Sequence, residues 1–204
     1  MNIKTYLFID GSNLYAGQYN LFGPNNYLNF SKFIGQAEIA LKVKFHKIYF
    51  YASYSPKPKN LNQKVKQYLK NEALFYKNVK SLTNLTFFNG YRSKTSGKEK
   101  EVDVKLAVDI VDKSHRGEFS KIFLISGDAD FMHALLVAKR LHKDISIISL
   151  QNGIPYRFSY LFPTYVFCFN RINFFFDKKQ KIKIIKLSRN FVKKIPGMHA
   201  SRAS

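Results

Sequence analysis

The sequence is poor in acidic residues. It has 13 aspartates and glutamates against 34 lysines and arginines, which gives a formal net charge of +21. Such an excess indicates an acidic partner, most simply nucleic acid, because arrayed phosphates release counterions when lysine and arginine neutralise them. An anionic membrane surface is the alternative. That partner usually requires an amphipathic basic helix or a lipid signal, and the sequence shows neither clearly.

Cysteine and long apolar runs are also scarce. Cys168 is the only cysteine, which excludes an intrachain disulfide and predicts a buried thiol. The longest apolar stretch, around residues 160–169, is about half of the ~20 residues that a membrane-spanning helix needs, and it contains Pro163. The N-terminus lacks a signal-peptide pattern, since residues 6–9 run directly into Asp10. We therefore expect a cytoplasmic protein without a membrane partner.

Short apolar runs alternate along the chain with segments long enough to form helices. Strands are predicted at residues 5–9, 47–52, 85–91, 122–126, 145–150 and 165–169. Helices are predicted at residues 31–43, 62–78, 102–111 and 131–141. The alternation predicts an α/β fold, and strands that are apolar throughout predict a parallel sheet covered on both faces.

The composition changes at Asp177. Residues 177–204 contain nine basic residues and one acidic residue. We therefore predict one domain at residues 1–176 and a basic C-terminal extension at residues 177–204. Within this extension, residues 181–187 are predicted as a strand or a short helix, and residues 196–204 are predicted to be disordered.

Three of the scarce acids follow strand-like runs. Asp10 comes directly after the first predicted strand, and Asp128 and Asp130 follow the strand predicted at residues 122–126. An open α/β sheet forms its binding crevice at the carboxyl ends of its strands, so we expect these acids to meet there. A structural role stays open, because Asp10 and one of the other two could cap the following helices. Further polar side chains lie beside these acids in the sequence: Ser12, Asn13 and Ser126.

Asp103 is the fourth candidate acid. At about 100° per residue, Leu106 and Ile110 lie on either side of Asp103 around the predicted helix, so we expect its side chain to point inward from an apolar arc. A carboxylate among apolar side chains is costly unless it is paired or bound to a metal. Asp109 and Asp112 are expected on the opposite, solvated face.

Oxygen ligands without clustered cysteine or histidine favour a hard divalent cation over zinc. The predicted cofactor is therefore Mg²⁺ or Mn²⁺, and no organic cofactor is predicted. Such a site can orient and deprotonate a water and neutralise charge that develops on a phosphodiester. The predicted catalytic and metal-binding residues are Asp10, Asp103, Asp128 and Asp130.

Other residues are candidates for contact with nucleic acid. Tyr15, beside the first acidic segment, and Tyr91, at a strand end, are the better base-stacking candidates, because most aromatic rings must form the core. A basic loop precedes Asp103 and could hold phosphates near the metal, although a solvated loop would have the same composition. Its candidate residues are Arg92, Lys94, Lys98 and Lys100.

Three segments resemble, in order and interval, the motifs of the NYN domain, a PIN-like nuclease family. They are Phe-Ile-Asp-Gly-Ser-Asn-Leu at residues 8–14, Lys-Glu-Val-Asp-Val-Lys-Leu-Ala-Val-Asp at residues 100–109, and Ile-Ser-Gly-Asp-Ala-Asp-Phe at residues 125–131. The resemblance covers roughly residues 4–170. It implies a PIN-like, Rossmann-like three-layer α/β/α fold with a central, mainly parallel sheet, and it implies metal-dependent ribonuclease activity.

By motif position, the resemblance assigns the metal-site role to the same four aspartates, with Asn13 as a supporting residue. The sequence also departs from the family pattern. Glu101 stands where many relatives have glycine, and Met132 and His133 replace the usual hydrophobic residue and proline. These departures remove no implied ligand, and they leave the substrate open.

The leading hypothesis is a metal-dependent endoribonuclease whose partner is RNA. The alternative from another class is a non-catalytic RNA-binding or adaptor protein on the same fold. A DNA nuclease related to flap-cutting enzymes typically carries extra helical elements, for which 204 residues leave little room, and a phosphotransfer domain would not explain the charge of +21. The sequence leaves the oligomeric state open, a homo-oligomer included.

Overall fold

A seven-stranded sheet forms the centre of the fold. The structure, a computed structural model, describes residues 4–57, 62–92, 99–170 and 175–196. The strands are β1 (Thr5–Asp10), β2 (Asn26–Leu28), β3 (Lys47–Ala52), β4 (Leu85–Asn89), β5 (Tyr91–Arg92), β6 (Glu99–Lys100), β7 (Lys121–Ile125), β8 (Asp144–Leu150), β9 (Thr164–Cys168), β10 (Ile182–Lys186) and β11 (Val192–Lys194). The central sheet has the order β10-β9-β8-β7-β1-β3-β4, and each neighbouring pair is parallel.

Helices cover both faces of this sheet. They are α1 (Gly11–Phe22), α2 (Phe30–Leu41), α3 (Gln63–Lys80), α4 (Val102–His115), α5 (Met132–Arg140) and α6 (Tyr156–Leu161), and a short 3-10 helix at Ala129–Phe131 precedes α5. None of the helices in the described part of the chain is long and apolar enough to cross a membrane.

Successive side chains of each strand point to opposite faces of the sheet, so the fold has two hydrophobic cores. In β1, Leu7 and Ile9 belong to the core beneath α1, α2 and α3, whereas Phe8 belongs to the core beneath α4, α5 and α6. All three side chains are fully buried, and burial of each contributes about 1.5–3 kcal/mol to folding. The two cores confirm the predicted three-layer α/β fold.

The predicted strands and helices are present, with shifts of a few residues at their ends. The strand predicted at residues 85–91 is interrupted at Gly90, where β4 gives way to the short β5. Three features do not correspond to any predicted strand or helix. The helix α1 has the polar side chain of Gln18 on its buried face, and α6 and the antiparallel pair of β2 with β11 are short.

The segment after Asp177 packs into the same fold. β10 lies within residues 181–187, the segment predicted as a strand or a short helix, and it pairs in parallel with β9 and extends the central sheet. Phe191 and Ile195 are buried in the core beneath α1, α2 and α3. The change in composition therefore does not coincide with the end of the core. Residues 197–204, most of the end predicted to be disordered, lie outside the described residues.

Candidate active site

Asp10 and Ser126 meet at the carboxyl edge of the sheet because β1 and β7 are adjacent and end at the same level. The Ser126 hydroxyl donates to Asp10 Oδ2 at 2.9 Å. Asp10 Oδ1 accepts from the backbone N–H of Asn13 at 3.0 Å, so the same carboxylate caps α1. The side chain is buried, with 5% of the residue exposed. Asp10 therefore both caps a helix and contacts the other acidic segment.

The turn after β7 is held by hydrogen bonds to the same serine. The backbone N–H of Asp128 donates to Ser126 Oγ at 3.0 Å. Asp128 Oδ1 accepts from the backbone N–H of Asp130 at 2.9 Å, which makes Asp128 the cap of the 3-10 helix. Asp130 is exposed and does not cap this helix. Ser126 thus connects Asp10 to the Asp128 backbone.

Asn13, at the start of α1, contacts Gly127 in the turn after β7. Asn13 Oδ1 accepts from the backbone N–H of Gly127 at 3.2 Å. A Cβ atom at position 127 would lie 3.1 Å from the carbonyl oxygen of Gly153, closer than most real Cβ contacts. Glycine at this position therefore allows the loop after β7 to lie against the loop after β8.

A cleft of about 550 Å³ opens beside these residues. Asn13, Gly127 and Asp128 line one part of it. The loop that follows β8 lines the rest, with Gln151, Asn152, Gly153, Ile154 and Tyr156. The lining contains no lysine or arginine among the described residues, so these walls are uncharged except at Asp128.

The loop after β8 was not among the predicted site residues. Gln151 Oε1 accepts from the backbone N–H of Phe169 at 2.7 Å, and the Asn152 amide donates to the carbonyl oxygen of Gly17 at 2.9 Å. Both bonds anchor the loop to neighbouring elements. The loop directly follows the strand predicted at residues 145–150. Since parallel strands all end at the same edge of the sheet, this position indicates that the loop lies near Asp10 and Asp128.

The prediction for the two faces of α4 was wrong. Asp103 is exposed, whereas Asp109 is 9% exposed and lies on the buried stripe with Leu106. Asp109 accepts a hydrogen bond from the Tyr51 hydroxyl at 2.7 Å and pairs with Lys105 Nζ at 2.6 Å. These partners compensate for the burial of its charge. A wheel of α4 shows Lys105 but cannot show Tyr51, because Tyr51 comes from β3.

Asp103 nevertheless lies in the first turn of α4. Since α4 leads into the start of β7, its N-terminus faces the edge where β7 ends, and this is the edge that carries Asp10. The exposed carboxylate is therefore on the correct side of the fold for the predicted site. Its role as a metal ligand stays a prediction.

The four predicted acids do not form one compact cluster. In the part of the chain that the structure describes, no three Asp, Glu, His or Cys side chains could hold a metal ion together. Asp10 and Asp128 are connected through Ser126, and the oxygen of Asn13 lies beside them. This oxygen-only set fits Mg²⁺ or Mn²⁺, because Mg²⁺ is usually held by one or two carboxylates together with waters and substrate phosphates.

The predicted stacking role of Tyr15 was wrong. Its ring lies in the core and is 1% exposed, and its hydroxyl donates to the carbonyl oxygen of Tyr68 at 2.9 Å. Burial raises the pKa of this hydroxyl far above its usual value. A ring held in this way cannot stack on a base, and the cause is α1, which directs the side chain inward.

The other nucleic-acid candidates lie near the hairpin of β5 and β6. Tyr91 is 57% exposed, so its predicted stacking role is compatible with its position. The backbones of Arg92 and Lys100 belong to the hairpin. Lys94 and Lys98 lie outside the described residues. Their contacts with nucleic acid stay predictions.

The comparisons with known proteins agree with this fold. The NYN domain family matches residues 4–166. A crystal structure of a protein of unknown function from Vibrio parahaemolyticus is similar over 87% of this chain and 95% of that chain, with 15% sequence identity and a TM-score of 0.58. At this identity the similarity shows the fold alone. No curated protein matches the sequence.

Proposed function

The chain belongs to the NYN domain family of PIN-like nucleases, and we propose that it is a metal-dependent endoribonuclease that hydrolyses RNA phosphodiester bonds. The observation that carries the proposal is the hydrogen-bonded connection of Asp10, Ser126 and Asp128 beside the cleft. The net charge of +21 supports a polyanionic substrate.

The proposed cofactor is Mg²⁺ or Mn²⁺. Asp10 and Asp128 would hold it, and Asp103 and Asp130 are the proposed further ligands. When bound, the cation supplies positive charge for the developing phosphorane and lowers the pKa of an attacking water. Without the bound cation, the carboxylates repel the phosphates of RNA. The activity is therefore expected to depend strictly on added metal.

The chain's own residues would orient the substrate and the acids. Ser126 fixes the rotamer of Asp10 through its hydroxyl. Asn13 and Asn152 place amide groups in the lining of the cleft, where they can form hydrogen bonds with ribose or a base. Tyr156 also lines the cleft and is 51% exposed, which makes its ring available for stacking on a base.

The proposed partner is RNA, and the proposed compartment is the cytoplasm. The single cysteine, Cys168, is a free thiol and is buried, which is compatible with a reducing compartment. Cleavage of matched RNA and DNA strands by the same preparation distinguishes the proposed substrate from DNA.

Asp128→Asn tests the function. Single-stranded and hairpin RNAs are incubated with wild type or variant, with Mn²⁺ or with EDTA. We expect cleavage by the variant to fall by at least about 100-fold, because a carboxylate at the reacting phosphate is lost, while RNA binding is retained. Asp112→Asn is the control, since it makes the same charge change at a half-exposed acid that pairs with Arg116. Unchanged metal-dependent cleavage by Asp128→Asn would contradict the proposal.

A non-catalytic RNA-binding protein on the same fold is the second candidate. The observation that favours it is the lack of a three-acid group among the described residues. If purified wild type binds RNA and cleaves none of these substrates in Mn²⁺, this second function applies.

A further inference from the structure

The edge of the sheet opposite the candidate active site carries a row of lysines. Because the seven strands are parallel, the starts of the strands lie at this edge. Five of these strands have a lysine as their first residue or directly before it. This lysine row consists of Lys4, Lys47, Lys121, Lys143 and Lys181.

Backbone hydrogen bonds show that these strand starts are neighbours. The N–H of Lys121 donates to the carbonyl oxygen of Lys4 at 3.2 Å, and the N–H of Thr164 donates to that of Lys181 at 2.9 Å. Adjacent strands lie about 4.8 Å apart, so the row from β10 to β3 extends over about 25 Å. This length suits an extended polyanion better than a single small anion.

One end of the row forms a cleft of about 370 Å³. Lys139 of α5 joins three lysines of the row in its lining, and Asp144 is the acidic residue there. In the described part of the chain, no ammonium group of the row lies within 4.0 Å of a carboxylate. The four lysines that line the cleft are Lys121, Lys139, Lys143 and Lys181.

Aromatic rings beneath the lysines orient their side chains. Lys47 Nζ lies 5.5 Å from the ring centroid of Tyr6, and Lys121 Nζ lies 5.2 Å from that of Phe123. Such cation–π contacts restrict the side chains and leave the ammonium groups at the edge. Lys47 and Lys121 are therefore partly ordered before a ligand binds.

The charge of the row contrasts with that of the cleft at the other edge. The candidate active cleft has no lysine or arginine among its described lining residues. Among the described residues, the cations that could neutralise RNA phosphates therefore lie outside that cleft. The five lysines of the row lie at the starts of the strands, about 20 Å along the strands from that cleft.

We propose that the lysine row is a second phosphate-binding surface, which holds a segment of RNA away from the site of cleavage. This inference rests on the proposed function for the identity of the polyanion. It has a distinct consequence: an RNA long enough to reach both edges binds more tightly than a short RNA, whether or not it is cleaved.

The test measures binding in EDTA, where metal-dependent cleavage cannot occur. Fluorescence anisotropy is recorded for labelled RNAs of about 6 and about 40 nucleotides at several salt concentrations. The variant is Lys47→Gln combined with Lys181→Gln, which removes two exposed cations at opposite ends of the row. For the long RNA we expect an affinity loss of about tenfold and a decrease of about 1.4 in the salt slope. Affinity for the short RNA is expected to change little.

The control is Lys66→Gln combined with Lys77→Gln, two exposed lysines on α3. It makes the same change in net charge away from the row, so we expect a smaller effect on the long RNA. Equal losses in the two double variants would overturn the proposal, as would equal affinity of wild type for short and long RNA. Tighter binding of wild type to anionic phospholipid vesicles, lost in the row variant, would also overturn it.

Cleavage by wild type in Mn²⁺ is scored separately. A wild type that fails to cleave RNA can still show the predicted dependence of its RNA affinity on RNA length and salt concentration. That result would support RNA binding by the lysine row and contradict the nuclease proposal. Thermal melting of both double variants establishes that they are folded before binding is compared.

Discussion

Ser126 is the residue on which the geometry of the candidate active site depends. Its hydroxyl donates to the buried Asp10 carboxylate and accepts from the Asp128 backbone, so one oxygen positions parts of two motifs. A buried carboxylate that loses a hydrogen-bond donor bears a cost of about 1–3 kcal/mol. Serine at this position therefore contributes to both the stability and the orientation of the acids.

Ser126→Ala is expected to lower cleavage by about 10–100-fold, since Asp10 loses the partner that fixes its rotamer. The same change is expected to reduce the free energy of unfolding by about 1–3 kcal/mol. Metal-dependent cleavage and urea denaturation measure the two effects. Ser120→Ala, at an exposed position just before β7, is the control. Full activity and wild-type stability in Ser126→Ala would contradict the assigned role.

A second residue-scale prediction concerns Tyr51. Burial, followed by the hydrogen bond to Asp109, raises the pKa of the Tyr51 hydroxyl far above its value in the unfolded chain. The folded state therefore retains a proton that the unfolded state loses above about pH 10. This contribution to stability is complete below that pH and declines as the pH rises.

We expect the free energy of unfolding to fall between about pH 9 and about pH 11, and to fall less steeply in Tyr51→Phe. Urea denaturation at several pH values measures this slope. Tyr91→Phe is the control, because it removes the same hydroxyl from an exposed tyrosine. Parallel pH profiles for wild type and Tyr51→Phe would contradict the prediction.

At the scale of elements, the close contact between the start of α1 and the sheet requires a residue without a side chain. A Cβ atom at Gly11 would lie 2.1 Å from an atom of the Phe50 ring, and Phe50 is fully buried. The ring cannot move aside without disturbing the core, which is close-packed. The glycine directly after Asp10 thus allows α1 to bring Asn13 toward the site.

Gly11→Ala is expected to destabilise the fold by about 1–3 kcal/mol, the usual cost of inserting a methyl group into a packed core. Gly35→Ala on α2 is the matched control, since no atom lies within 4 Å of its added Cβ. There alanine is expected to be neutral or to stabilise by up to about 1 kcal/mol, through its higher helix propensity. Urea denaturation compares the two variants, and equal effects would refute the contact as the cause.

The start of α4 has a backbone conformation that favours glycine, although the sequence has Glu101 there. Glu101 precedes α4 with a φ of 68°, in the left-handed region that favours glycine. Glycine would adopt this backbone without strain. Glu101 adopts the same conformation at a cost of order 1–3 kcal/mol, and Asp103 follows it in the first helical turn.

At the scale of the molecule, the charged C-terminal segment is part of the folded domain. β10 completes one edge of the central sheet, and Phe191 and Ile195 fill the core beneath α1, α2 and α3. Burial of such side chains contributes about 1.5–3 kcal/mol each, which is large against a total stability of about 5–15 kcal/mol.

Removal of residues 177–204 is therefore expected to abolish cooperative unfolding, since it uncovers β9 and opens the core. A shorter truncation, which removes only residues 197–204, retains every described element and is expected to unfold like wild type. Thermal melts followed by circular dichroism compare them. A truncated chain of residues 1–176 with a sharp wild-type transition would contradict this prediction.

The sequence by itself determined the order of the main strands and helices and the class of the fold. Apolar runs, helical spacing and turn residues are local signals, and here the tertiary structure did not override them at most positions. The position of Asp10, Asp128 and the loop after β8 at one edge also follows from local signals, because parallel strands all end on the same side.

Tertiary structure alone decided which side chains meet. It placed Asp109 rather than Asp103 on the buried face of α4, because Tyr51 on β3 supplies a partner. It buried Tyr15, joined Asp10 to the Asp128 backbone through Ser126, and aligned the lysines of five separate strands. Each of these outcomes depends on contacts between residues distant in sequence. A helical wheel or a motif describes one element at a time and contains no information about its neighbours.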